Sequence, residues 1–212
     1  FGRYVQVNGG VRGERFAADG LTNTGEPIDT VSKMLSTKAG LVFRPVSIGS
    51  LYVSYGTSFN PAFEGLGFVA GDNDPNLDPE KTYTTEVGTK WDLINGRLSL
   101  ASAVFNVAKT NARTPGILPD DPLQVLDGRQ QVRGAELSAT GNLTPAWTVF
   151  SAYTLLDSRV VESNTPAQIG NRFPQTPKHA FSSWTTYAFP WRVTIGGGLR
   201  YVGRRYNNIN NA

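Results

Sequence analysis

Period-two alternation, sustained over long runs, is the feature that most restricts what this chain can become. From Thr82 to Leu93, the residues Tyr83, Thr85, Val87, Thr89, Trp91 and Leu93 share one face, and Thr82, Thr84, Glu86, Gly88, Lys90 and Asp92 share the other. A β-strand separates alternate residues in this way; a helix does not. Asn95-Gly96 then leads into a second run, the turn chemistry of a tight hairpin. Read along the whole chain, such runs predict nine strands, at about 3–15, 35–44, 47–58, 81–93, 97–109, 128–142, 146–159, 178–189 and 191–204. No segment of useful length carries a helical period.

The connections sharpen this. Short turns are expected at Arg44-Pro45-Val46, Ile94-Asn95-Gly96, Asn142-Leu143-Thr144-Pro145 and Phe189-Pro190-Trp191, and long polar loops at about 16–34, 59–80, 110–127 and 160–177. Long and short alternate strictly, so a meander would carry every tight turn at one rim and every long loop at the other. Transmembrane β-barrels have this asymmetry, whereas the Greek-key connections of a sandwich mix lengths at both ends. Runs of about 11–14 residues also exceed the five or six usual in globular proteins and cover the 9–11 that a tilted spanning strand needs.

Which face meets water decides the class. Val5, Val7, Gly9 and Val11 oppose Gln6, Asn8, Arg12 and Glu14; Ala39, Leu41 and Phe43 oppose Lys38 and Arg44; Val193, Ile195, Leu199 and Tyr201 oppose Arg192, Thr194 and Arg200. The apolar faces mix Val, Ala, Gly and Thr with Tyr and Trp near strand ends, the composition of a lipid belt with aromatic girdles rather than of a protein core. Strands 97–109 and 146–159 alternate less cleanly, and the sequence leaves their faces unassigned. Charged residues make up 17% of the chain, below the ~25% usual in soluble domains. No apolar run approaches the ~20 residues of a spanning helix. With no Cys, disulfide frameworks and thiolate metal sites are excluded. A net charge of +3 without a Lys/Arg block gives no ground for nucleic-acid binding. The expectation is an all-β, antiparallel, up-and-down transmembrane barrel wall. Nine strands are an odd number and would leave two edges unpaired in lipid, so residues 1–212 are read as an arc of a larger barrel. A chain opening at Phe1 is expected to be processed or cut from something longer.

Several stretches resemble the TonB-dependent outer-membrane receptors, in particular their siderophore-receptor branch. Asn76-Leu77-Asp78-Pro79-Glu80 with Tyr83, Glu86, Gly88 and Lys90 is similar to the family's NLxPE…YExGxK pattern, and Asn95-Gly96-Arg97-Leu98-Ser99-Leu100 to the hairpin after it. Arg133-Gly134-Ala135-Glu136-Leu137 resembles RGxEL. Leu143-Thr144-Pro145-Ala146-Trp147 and Tyr153-Thr154-Leu155-Leu156-Asp157-Ser158 look like the next hairpin. The stretch from Asn171 to His179 is similar to N-R-x-P-x-T-P-x-H, and Gly196 to Gly203 to GGGxRYVG. The motifs fall in family order from about 76 to 203; residues 1–58 fit the barrel pattern without one. The resemblance implies a barrel of about 22 strands with a plugged lumen, importing a ferric siderophore, of catecholate type, on energy delivered by TonB. By that pattern residues 1–212 are a partial barrel domain, with the plug, its TonB-contacting segment and the closing strands absent. The partners implied are the ferric siderophore, TonB and outer-membrane lipid. No cofactor is expected, iron entering only within the siderophore. A passive porin-like channel and, less well matched, a soluble all-β binding module are the competing readings.

Catalysis finds no support, since carboxylates are scattered and His179 is the single histidine. That histidine is expected to be structural, Gly196-Gly197-Gly198 to mark close packing in a curved wall, and Asp72, Asp74 and Asp78 to form a solvated acidic loop. A ferric catecholate is a bulky aromatic anion, so Arg and aromatic residues at the outer strand ends are the candidate ligand contacts. These are Phe59, Phe63, Phe68, Arg113, Arg129, Arg133, Arg172, Arg204 and Arg205.

Overall fold

The computed structural model describes residues 4–21, 27–61, 78–116 and 124–212. Among them lie nine strands: β1 (Val5–Leu21), β2 (Pro27–Val46), β3 (Gly49–Asn60), β4 (Glu80–Leu93), β5 (Leu98–Pro115), β6 (Gln124–Thr144), β7 (Trp147–Glu162), β8 (His179–Ala188) and β9 (Thr194–Val202). They form one antiparallel sheet in chain order, each strand hydrogen-bonded to its neighbours in sequence. The meander read from the alternation of turns is therefore the fold. All four short connections lie at one rim. The strand ends joined by the other connections lie at the opposite rim, and the described connection 163–178 lies there.

The hairpin at Asn95-Gly96 shows why the turns are so short. Asn95 and Gly96 hold φ of 54° and 79°, the left-handed values that a type I′ turn requires at both central residues, and Arg97 N–H donates to Ile94 O at 3.2 Å. Two expectations at the opposite rim are corrected. Residues 16–34 are mostly strand, because β1 and β2 stay paired from Gly13↔Leu35 up to Leu21↔Pro27. Residues 110–127 likewise lose both ends to β5 and β6, whose pairing steps across bulges near Asn111 and reaches Pro115↔Gln124. Polar composition suggested loops there, but ladder hydrogen bonds use the backbone and tolerate it.

Residues directly opposed in an antiparallel ladder share a face, so the register assigns every strand, including the two the sequence left open. Val7, Leu41, Val53, Val87, Val104, Ala135 and Leu155 lie on one face, with Phe181 and Leu199 of β8 and β9. Asn8, Gly40, Ser54, Glu86, Phe105, Gly134 and Leu156 run across the other. On the apolar face the large side chains are uncovered: Val87 is 51% exposed, Val104 58% and Leu199 63%. No second layer of this chain lies over it among the described residues, which is how a wall facing acyl chains is built. Tyr55, Tyr83, Tyr153 and Tyr201 ring its upper part, and Trp91, Trp147 and Tyr187 its lower part, the paired aromatic girdles of a spanning sheet.

Candidate ligand-binding mouth and inner wall

The polar face is built by small residues alternating with long ones. Tyr52 crosses Gly88 to donate its hydroxyl to Glu86 Oε1 at 2.6 Å, and Lys90 Nζ stands 5.6 Å from the same ring. Phe105 lies over Gly134, where a Cβ would collide with the ring. Between Tyr52 and Glu136 the register leaves only Gly88 and Ala103, so a hollow of about 180 Å³ opens there, bordered by Tyr52, Glu86, Glu136 and Thr154. Carboxylates, hydroxyls and ammonium groups on a single face make a wall that water wets.

At the long-connection rim this wall ends in a tight polar cluster. Glu80, 8% exposed, opens β4 immediately after Pro79. Its carboxylate accepts from Lys109 Nζ at 3.0 Å, Asn60 Nδ2 at 3.3 Å and the Arg113 amide at 3.4 Å. The Nε and Nη2 of Arg113 are enclosed without a hydrogen-bond partner. Beside this cluster the 163–178 connection folds inward over the top of β5 and β7. Thr114 Oγ1 accepts from the Asn164 amide at 2.9 Å, and Ser158 Oγ, 2% exposed, accepts from the Phe173 amide at 3.2 Å. Residues 203–212 tie the connection down. Asn211 accepts from the Arg172 amide and donates to the Arg172 carbonyl, both at 3.0 Å, and the Gln175 amide donates to Tyr206 O at 2.9 Å.

The nine residues counted from sequence as mouth contacts divide accordingly. Arg113, Arg172, Arg204 and Arg205 stand at the long-connection rim, Arg172 with its guanidinium 3.7 Å from Asp157 and Arg204 over the Tyr206 ring at 5.3 Å. Phe59, Arg129 and Arg133 reach the same height, but the register turns them to the apolar side, away from the polar wall. Period two continues unbroken to Phe59 and Arg133, and that parity is what excludes them from the wall. Phe63 and Phe68 lie outside the described residues, as do Asp72 and Asp74 of the acidic loop. Sequence reasoning missed Glu80 and Lys109, although both carry the parity of the polar face and bracket one ladder. It also missed Asn211, because Arg172, the residue it holds, lies 39 residues away in sequence. His179 acts structurally, its Nδ1 2.8 Å from Tyr153 Oη.

An antiparallel meander, bare and apolar on one side, polar and hydrated on the other, with a charged and loop-covered rim, is the wall of an outer-membrane β-barrel. Comparison with known proteins agrees. The family described as "TonB dependent receptor-like, beta-barrel" matches residues 1–212. The siderophore receptor PiuA of Acinetobacter baumannii is 33% identical over 198 residues, covering 85% of this chain and 26% of that protein. The catecholate siderophore receptor Fiu of Escherichia coli K12 is 32% identical over 202 residues, covering 89% of this chain and 26% of that protein. The crystal structure of PiuA superposes with a TM-score of 0.87 at 30% identity over 98% of this chain and 32% of that one, and the closed form of Fiu with 0.79 at 27% over 97% and 33%. The chain belongs to the TonB-dependent receptor β-barrel family, and its strands are part of a bacterial outer-membrane wall. It spans about a quarter of the length of these curated relatives.

Proposed function

We propose that this wall belongs to a receptor that takes up a ferric siderophore, of catecholate type, with energy supplied through TonB, and that it carries no catalytic activity. The observation that carries the reading is the match of the whole chain to the barrel family, together with about one-third identity to two siderophore receptors, one of them named for catecholates. The wall fits the role. Its polar face borders a wet passage, and its outer rim gathers Arg113, Arg172, Arg204 and Arg205, cations suited to an anionic iron complex. Further strands close the barrel and a plug fills its lumen in this reading, and the plug, not the wall, contacts TonB. Uptake of radioactive iron by cells producing the full-length receptor, offered a panel of ferric chelates, tests it. Catecholate complexes are expected to enter, and entry is expected to cease in a strain without TonB. Entry independent of TonB, with swelling of receptor-containing vesicles in plain sugars, would instead establish a passive channel.

A further inference from the structure

Bare aromatic side chains are expected on the lipid face of this wall, but two stand on its wet face. Phe150 and Trp184 are opposed across β7 and β8 on the polar side, in the half nearer the short turns, and remain 50% and 51% exposed. One step up the strands their inward neighbours are small: Ala152, Ser182 and, across β6, Ser138. Trp184 lies over Gly198, where a Cβ would meet its ring. The small floor and the tall aromatic edge leave a hollow of about 510 Å³, which Arg200 of β9 borders above the indole. That volume falls within the ~300–1,000 Å³ usual for small-molecule pockets. Arg200 is exposed, and among the described residues it makes no ion pair. By register the inward carboxylate nearest to it among those residues, Glu136, stands three strands away, roughly 15 Å. An unpaired guanidinium beside two uncovered aromatic faces suits an anion that itself carries an aromatic ring.

We propose that this hollow is a second station for the iron complex, reached after the mouth, where Phe150 and Trp184 stack on an aromatic ring of the catecholate and Arg200 pairs with its anionic oxygens. The proposal deepens the uptake reading and rests on it. Two features select this occupant. The charge is complementary only to an anion, and the exposed rings reward an aromatic one. The hollow also lies on a descending path, since Arg204 of the mouth is four residues farther along the same chain, roughly 13 Å away by strand rise. A complex leaving the mouth cations thus meets another cation before the short-turn rim, and its passage is divided into two shorter steps.

The test uses cells producing the full-length receptor and the radioactive iron(III) complex of 2,3-dihydroxybenzoate. Surface binding is measured on de-energised cells and entry on energised ones. Trp184→Leu with Arg200→Gln is expected to leave half-maximal surface binding within twofold of the parent and to lower the maximal entry rate at least fivefold. The conservative pair Trp184→Phe with Arg200→Lys should recover most of that rate. Arg12→Gln, on the polar face of β1, should change neither quantity. Failure of the parent itself to import the complex would remove the uptake reading and this proposal with it. Import by the parent, with an equal maximal rate in the first variant, would overturn the station alone. So would a slowed variant whose receptor-containing vesicles swell in plain sugars, because the hollow would then be a seat for the plug. Surface binding at the parent's level shows that a variant is folded. Where the pair does not fold, Arg200→Gln alone is expected to slow entry at least threefold, and an unchanged rate in it would likewise overturn the station.

Discussion

Gly198 has no side chain because the space is taken. A Cβ there would lie 2.6 Å from Trp184 Cε3 and 2.8 Å from Ser183 O, while one at Gly196 would meet the same indole at 3.0 Å. At Gly197, on the other face, nothing lies within 4 Å. The glycine triplet is thus two different sites in three residues: a bed for one tryptophan on the polar face, and an open position facing lipid. Trp184 remains 51% exposed above this bed, so its position is set by the glycines beneath it. Gly198→Ala must displace the ring or bend the strand, and is expected to destabilise by about 1–3 kcal/mol as overpacking does. Gly197→Ala should be nearly silent, since it fills free space in extended backbone. Denaturant midpoints of the full-length receptor folded into vesicles, compared for the two variants, check this; equal losses at both positions would refute the bed.

Within a strand, the two faces answer to different solvents, and β4 states this most plainly. Val87 sits mid-strand between Val53 and Val104 on the apolar face, and Thr84 belongs to the polar face. Val87→Arg is expected to cost about 2–4 kcal/mol near the bilayer midplane, and Thr84→Arg far less, because its guanidinium stays in water. Unfolding midpoints in lipid vesicles give both values, and equal tolerance would invert the assignment of faces. The same parity explains how much of the fold was legible. Alternation placed all nine strands, and Asn95-Gly96 fixed its hairpin, because both signals are local. The upper halves of β1, β2, β5 and β6 were not legible, since Asp19, Asp29 and Lys33 read as loop although their backbones are paired. Of the mouth, the arginines were visible as residue types, yet their faces were not. Arg133 could be placed only once Asn106 and Asp157 were known to oppose it. Ile94, a β-branched residue at φ of 52°, is also something no pattern foretells; it follows from the turn that Asn95 and Gly96 impose next to it.

At the scale of the whole sheet, order alone sets a strong condition. β1 pairs only with β2, and β9 only with β8, so both outer strands leave a row of N–H and C=O groups without ladder partners within the described residues. In hydrocarbon each such group costs several kcal/mol, which is why spanning sheets close on themselves. Every residue of β9 is exposed, so among the described residues no side chain or loop shields that edge. The internal pairings cannot compensate, because they are satisfied equally whether the sheet is open or closed. Residues 1–212 produced alone are therefore expected to lack a stable monomeric inserted state. In vesicles they should be extracted by urea and show no shift in gel mobility on heating, whereas the full-length receptor should resist urea and shift. Edge-to-edge association of two copies would appear as a dimer by light scattering in detergent and would satisfy the same physics. A monomeric, urea-resistant, heat-shifting species of 212 residues would contradict it, because some other cover for the β1 and β9 edges would then have to exist.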